Sequence, residues 1–194
     1  MKIVLASNNA KKRKDLAAIL AGLGIELVTA DETRFIDVIE DGDTFAENAR
    51  KKAEAFAAAN QLPSLADDSG LCVDALNGAP GVYSSRYAGE DASDSDNNIK
   101  LLNDMQGMKN RSAHFACSLS LVFPDGRPMI TAEGRTDGVI LDTPDGEDGF
   151  GYDPLFFSSD LNKSFASATP DEKASVSHRG RALRALAEKL VGIV

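Results

Sequence analysis

At 194 residues, with 43% hydrophobic content, the chain is long enough for one compact domain or two intimately joined lobes, and too apolar for disorder. A formal net charge of -9 excludes a nucleic-acid partner held on a dominant basic surface, and points instead to a small anionic ligand at a local basic turn. Two cysteines, Cys72 and Cys117, with no C-x-x-C or paired histidines, exclude a disulfide framework and a zinc site and read as reduced core thiols. No leader pattern and no apolar run of membrane-spanning length is visible, so a soluble, cytoplasmic protein is expected, with no membrane partner.

Residues 2–6 predict a buried strand, and Leu16, Ile19, Leu20 and Leu23 predict the apolar face of a helix that ends near Gly22 or Gly24. Between them stand Ser7, Asn8, Asn9, Ala10, Lys11, Lys12, Arg13 and Lys14. Four cations opening a helix oppose its dipole, and an anion would relieve the conflict. Ser7 and Asn9 supply donors, and the unpaired backbone N–H groups point the same way. No G-x-x-x-x-G-K-[ST] occurs, so a phosphate here would be held by side chains and lysines. A solvated basic face behind a Ser or Asn cap explains the same residues.

Residues 25–29 predict a second strand, and Thr44-Phe45-Ala46-Glu47 forms a capping box opening an alanine-rich helix to about Asn60, closed by Pro63. Residues 64–66 read as a short strand running into Asp67-Asp68-Ser69-Gly70, and 78–89 as glycine-rich loop. Ser93 or Asp94 caps a helix to about Met105, with Ile99, Leu101 and Leu102 as its apolar positions. Residues 113–123 predict a strand, joined through Pro124-Asp125-Gly126 to a partner at 128–135 that continues over 136–141 as a hairpin. An acidic loop over 142–151 leads to a strand at 154–157 and two terminal helices. Thr169 caps the first; the second starts near Ser177 and presents Leu183, Leu186, Leu190 and Val191 on one face. This order predicts an α/β fold around a mixed sheet.

Glu47 is explained by its capping box; the rival role is a magnesium ligand. Asp67 and Asp68 follow a short strand at its carboxyl end, where open α/β sheets place ligands, and adjacent carboxylates repel unless a cation lies between them. Hydrated Mg²⁺ would be such a cation, and it takes one or two carboxylates plus substrate phosphates, so Glu47 with Asp68 would suffice. Asp68 is also a candidate to orient or deprotonate a water, while an ordinary polar turn explains the same four residues. Phe150-Gly151-Tyr152-Asp153 suits stacking on a base, or serves as a connector. His178 and Arg179 open the last helix, where cations call for an anionic or carbonyl partner, with Lys173 five residues earlier. A capped, solvated helix start is the alternative.

Laid in order, Ser7-x-Asn9-x-x-Lys12, Phe45-Ala46-Glu47-Asn48-Ala49, Ala66-Asp67-Asp68-Ser69-Gly70, Phe150-Gly151-Tyr152-Asp153 and Ser177-His178-Arg179-Gly180 resemble the signature of the noncanonical purine NTP pyrophosphatases, or ITP/XTP pyrophosphatases. Residues 78–83 are similar as well. The resemblance implies a single domain over 1–194, an elongated two-lobed α/β fold around a central mixed sheet, a cleft between the lobes, and a homodimer. It implies a Mg²⁺-dependent enzyme that cuts between the α and β phosphates of ITP, dITP, XTP and dXTP, releasing monophosphate and pyrophosphate and cleansing the nucleotide pool. By carry-over, Ser7, Asn8, Asn9, Ala10, Lys11 and Lys12 would hold the triphosphate, with Lys52 as a further phosphate contact. Glu47 and Asp68 would bind magnesium, Asp68 would accept the proton of the attacking water, and Ser69 would touch substrate. Phe150, Gly151, Tyr152, Asp153, Lys173, His178 and Arg179 would surround the base.

Hypoxanthine and xanthine carry a carbonyl at C6, so donors such as Arg179 and Lys173 would leave adenine's amino group unpaired and reject it. Guanine shares that carbonyl, and its exclusion has no assigned residue. Three other readings compete: a related pyrophosphatase with another base preference, such as the Maf-like group acting on modified pyrimidines; a nucleotide-binding regulator without turnover; and a ligand-free set of caps and turns. The acidic runs 90–96 and 142–148 read as solvated surface.

Overall fold

The computed structural model describes every residue except 8, 10, 11, 14, 15, 18, 19, 21–24, 29–31 and 192–194. Its strands are β1 (Lys2–Leu5), β2 (Glu26–Leu27), β3 (Ser64–Val73), β4 (Ser112–Val122), β5 (Ile130–Ile140), β6 (Phe156–Ser158) and β7 (Lys163–Ser164). They form one sheet in the order β2-β1-β3-β4-β5-β6-β7. The sheet is mixed: β1 runs parallel to β2 and β3, with Lys2 opposite Glu26 and Val4 opposite Ser64, whereas β6 runs antiparallel to β5 and β7. The helices whose bounds lie within the described residues are α1 (Phe45–Asn60), α2 (Asp94–Asp104), α3 (Pro170–Val176) and α4 (His178–Leu190), and residues 12, 13, 16, 17 and 20 are helical as well.

Local sequence explains most of these elements. Ile3, Val4 and Leu5 are all buried, as a strand with parallel neighbours on both sides requires. On β5, Ala132, Thr136 and Ile140 turn inward while Glu133, Arg135 and Asp137 face water, the period of two of a half-buried strand. Gly138 lies on that inward face because an added Cβ would sit 2.3 Å from the Phe157 carbonyl oxygen. Thr44, Ser93 and Thr169 each close a capping box at the start of α1, α2 and α3.

The chain divides into two compact units. The first comprises 1–68, 117–134 and 179–194, the second 69–116 and 135–178. In the first, Ile3, Leu5, Leu65, Leu119 and Leu121 pack with Leu183, Leu186 and Leu190 of α4, and Val4 and Ala66 pack with Ala53 and Phe56 of α1. In the second, Leu71, Val73, Phe115, Ile140, Phe156 and Phe165 pack with Leu101 and Met105.

Several sequence expectations change. The short strand at 64–66 is a ten-residue strand to Val73, so Asp67 and Asp68 are mid-strand and not in a turn. Ile99 is 56% exposed, because the buried stripe of α2 runs through Asn97 and Leu101, and residue 99 points the other way. Asn97 holds its buried place by accepting from the Ala88 amide and donating to the Ser85 carbonyl. Val191 is 83% exposed, since α4 ends at Leu190. The strand expected at 154–157 starts only at Phe156, the glycine-rich stretch contains a 3₁₀ turn over Gly81–Arg86, and 25–29 narrows to Glu26–Leu27 among the described residues. Leu16 and Leu20 are buried as expected, while Ile19 and Leu23 lie outside the described residues.

Candidate active site

In the first unit the turn after β1 is built around Asn9. Its amide donates to Ser7 Oγ at 3.2 Å, its Oδ1 accepts from the Lys12 amide at 3.1 Å, and its carbonyl accepts from the Arg13 amide at 3.0 Å. Asn9 is therefore the cap of the helical residues that follow. Asn8, Ala10 and Lys11 lie outside the described residues. Lys12 and Arg13 do not form a solvated basic face. Lys12 Nζ is 3.5 Å from Asp67 Oδ2, and Arg13 donates to the Leu5 carbonyl and lies over the Phe35 ring.

Successive residues of a strand point to opposite faces, so the pleat of β3 separates the two neighbouring carboxylates. Asp67 meets Arg179 Nε at 3.1 Å and Lys12, whereas Asp68 meets Asn48 and Lys52. Each carboxylate thus has its own nearest partners. On α1, Asn48 and Lys52 are one turn apart on the buried stripe, which brings both to Asp68: Asn48 Nδ2 donates to Oδ2 at 3.1 Å, and Lys52 Nζ is 3.6 Å from Oδ1. Asn48 Oδ1 in turn accepts from the Gly42 amide, and a Cβ on Gly42 would lie 2.7 Å from that oxygen. Lys52 also donates to Glu40 at 3.0 Å.

The electrostatics of the pair diverge. Burial alone would raise the Asp67 carboxyl, but Lys12, Arg179 and Lys52 outweigh it and hold Asp67 far below the ordinary range. Burial raises Asp68, and Glu40 adds to the rise against the opposing pull of Lys52, Lys12 and the Asn48 hydrogen bond. Lys52 resists its own burial through Asp68, Asp67 and Glu40, which keep its ammonium charged. Glu47 stands at the start of α1, where its Oε2 accepts from the Asp43 amide at 2.8 Å and the Thr44 amide at 3.3 Å. Among the described residues, no three His, Cys, Asp or Glu side chains gather to hold a metal.

The second unit assembles the other candidates around Asp153, which is buried. Its Oδ2 accepts from the Phe150 amide at 2.8 Å and from Lys173 Nζ. Gly149, at φ +82°, leaves room for that oxygen, since a Cβ there would sit 2.2 Å from it. Lys173 Nζ lies 4.9 Å from the centre of the Phe150 ring and 5.6 Å from that of Phe165. Gly151 is tied by its amide to Asp94 and by its carbonyl to Asn98, and the Tyr152 hydroxyl donates to the Ser84 carbonyl. His178 is buried and stacks on Phe115, with centroids 4.8 Å apart and planes 12° apart. Ser69 is half-buried on β3.

His178 and Arg179 are both buried, which overturns the solvated helix start. Asp67 and Asn48 stand in the sequence motifs without a role of their own, and Glu40 is absent from them. Asn48 and Lys52 were legible together as positions i and i+4 of a predicted helix; Glu40 has no local signal. Among the described residues, no helix is long and apolar enough to cross a membrane.

Comparison with known proteins places this geometry in context. Residues 3–189 match the model of the Ham1 family. A dITP/XTP pyrophosphatase of Geobacter sulfurreducens is 49% identical over 192 residues, spanning 97% of this chain and 96% of the relative. A dITP/XTP pyrophosphatase of Desulforamulus reducens is 50% identical over 193 residues, spanning 98% and 96%. Among solved structures, a HAM1 protein from Coxiella burnetii superposes with a TM-score of 0.90 at 40% identity over 99% of both chains.

Proposed function

The chain belongs to the Ham1 family, and from that premise we propose that it is a nucleoside triphosphate pyrophosphatase acting on dITP, ITP, XTP and dXTP. It hydrolyses the α–β phosphate bond and releases a nucleoside monophosphate and pyrophosphate. The observation that carries the reading is the divergence of two adjacent carboxylates. Asp67 is held anionic by Lys12, Arg179 and Lys52, while burial raises Asp68, the direction that favours a proton acceptor.

In this reading Asp68 accepts the proton of the attacking water. Lys12 and Lys52, with Ser7 to Lys11, hold the triphosphate, and Ser69 touches substrate. Phe150, Gly151, Tyr152, Asp153, Lys173, His178 and Arg179 meet the base. Donation by Lys173 and Arg179 to a C6 carbonyl leaves adenine's amino group without an acceptor.

The carboxylate oxygens of Asp68 and of Glu40, which share the Lys52 ammonium, are of the type Mg²⁺ takes, and the ion needs few carboxylates because it keeps waters and takes substrate phosphates. When bound, the ion neutralises phosphate charge. Asp68 with Glu47 would hold it, and Glu40 is the rival second ligand. Glu40 shares the Lys52 ammonium with Asp68, whereas Glu47 commits an oxygen to two amides of its own cap. Magnesium titration of Glu40→Gln against Glu47→Gln separates the two: the true ligand's variant needs more metal for half-maximal rate. The same family reading makes the protein a cytoplasmic homodimer, which sedimentation tests.

The decisive assay measures pyrophosphate and monophosphate from ITP, XTP, dITP, GTP and ATP, with Mg²⁺ and with chelator. Metal-dependent pyrophosphate from ITP or XTP, with little from ATP or GTP, is expected. Release of single phosphates, or no product from any purine, would overturn the reading.

A further inference from the structure

Given the pyrophosphatase reading, on which this rests, we infer that Asp67 is a positioning residue that fixes Lys12 and Arg179 through one shared oxygen and so couples the phosphate grip to base recognition. No family motif position assigned above gives Asp67 a role. It is 1% exposed and lies in the middle of β3, on the face opposite Asp68.

The two cations reach it from remote parts of the first unit. Lys12 belongs to the helical residues after β1, and Arg179 opens the part of α4 in the same unit. Both meet Oδ2: Arg179 through Nε at 3.1 Å, Lys12 through Nζ at 3.5 Å. Nε is the guanidinium nitrogen nearest the stem, so engaging it fixes the plane in which the fork lies. Lys12 has no fork; its ammonium is a point charge whose position depends on the anion that holds it.

One carboxylate oxygen thus gathers two cations at a single point, so the position of each depends on the other. Sharing has a further consequence. An oxygen that loses one partner holds the other harder, so displacement of Arg179 alters what Lys12 can offer a phosphate. A misplacement of about 1 Å in a binding group costs on the order of 100-fold in rate. A base that disturbs Arg179 would therefore be penalised at the phosphates as well.

The test combines Asp67→Asn, Arg179→Lys and the double variant, with kcat and KM measured on ITP and ATP per folded molecule. Asp67→Asn should lower kcat about 10- to 100-fold with a smaller change in KM, and should narrow the ITP-to-ATP ratio. Arg179→Lys should narrow that ratio too, and the double variant should be no worse than Asp67→Asn alone, because both changes break one unit. Losses that multiply in the double variant, or an Asp67→Asn loss that only follows the folded fraction, would overturn the proposal.

A second measurement does not depend on Asp67→Asn folding. Inorganic tripolyphosphate has no base, and Arg179→Lys keeps the charge; calorimetry should nevertheless show its affinity changed several-fold. Unchanged affinity would overturn the coupling while leaving the pyrophosphatase reading intact. A wild-type protein that releases no pyrophosphate from any purine triphosphate would sink that reading, and the coupling with it.

Discussion

The two units handle buried charge differently. In the first, two carboxylates on opposite faces of β3 face Lys12, Lys52 and Arg179, and the ionic contacts have lengths of 3.1 to 3.6 Å. In the second, one buried carboxylate, Asp153, is matched by one lysine and one backbone amide, and the surroundings are rings: Phe150 and Phe165 near Lys173, Phe115 against His178. Clustered cations suit a polyanion, which can share them with the carboxylates. Paired charge against aromatic faces suits a neutral, planar, hydrogen-bonding group. On the proposed reading, the first unit's contacts to phosphate and the second unit's contacts to the base are distinct sets linked through Arg179, and variants can show how far each acts alone.

Asp68→Asn should have the largest effect. Loss of the proton acceptor lowers kcat about 10³-fold with little change in KM, measured as pyrophosphate release from ITP. The same variant should melt higher than wild type at neutral pH in metal-free buffer. A raised folded-state carboxyl favours the fold only while protonated; above the ordinary carboxylate range its ionisation is penalised, and asparagine removes that penalty. Asp67→Asn should do the reverse at neutral pH, because a depressed carboxyl stabilises the fold above its unfolded value and loses that contribution as pH falls. If both variants melt alike, the contrast between the neighbours is wrong.

Lys173→Met comes next. A charge-assisted hydrogen bond is worth about 1.5–3 kcal/mol, so KM for ITP should rise roughly 10- to 100-fold. Affinity for tripolyphosphate should stay put; a fall there would blur the division between units. Phe115→Leu removes the ring under His178, worth about 0.5–1.5 kcal/mol as an aromatic pair, and should widen base acceptance less than tenfold. Thr44→Ala breaks the α1 capping box and should cost about 1 kcal/mol of stability by denaturant unfolding, with base preference unchanged.

Much of this was legible in one dimension. The capping box at Thr44, the caps near Ser93 and at Thr169, the α1 boundaries, the paired β4 and β5, and the buried Leu183, Leu186 and Leu190 follow from local pattern, because caps and periodicity are short-range properties. Asp67-Asp68-Ser69-Gly70 misled for the same reason. Its composition is that of a turn, and only pairing with strands on both sides keeps those residues extended. Asn97 displaced Ile99 from the buried face of α2 through hydrogen bonds to a loop that periodicity does not see.

By itself the sequence determined the α/β class, the family signature and the residue types suited to phosphate, proton transfer and base. The tertiary structure alone decided how those residues are partnered. Asp67 and Asp68 are chemically identical neighbours, yet one meets Lys12 and Arg179 and the other Asn48 and Lys52. Their partners arrive from segments up to 112 residues away, and a pKa is set by the charges and burial that surround a group in space.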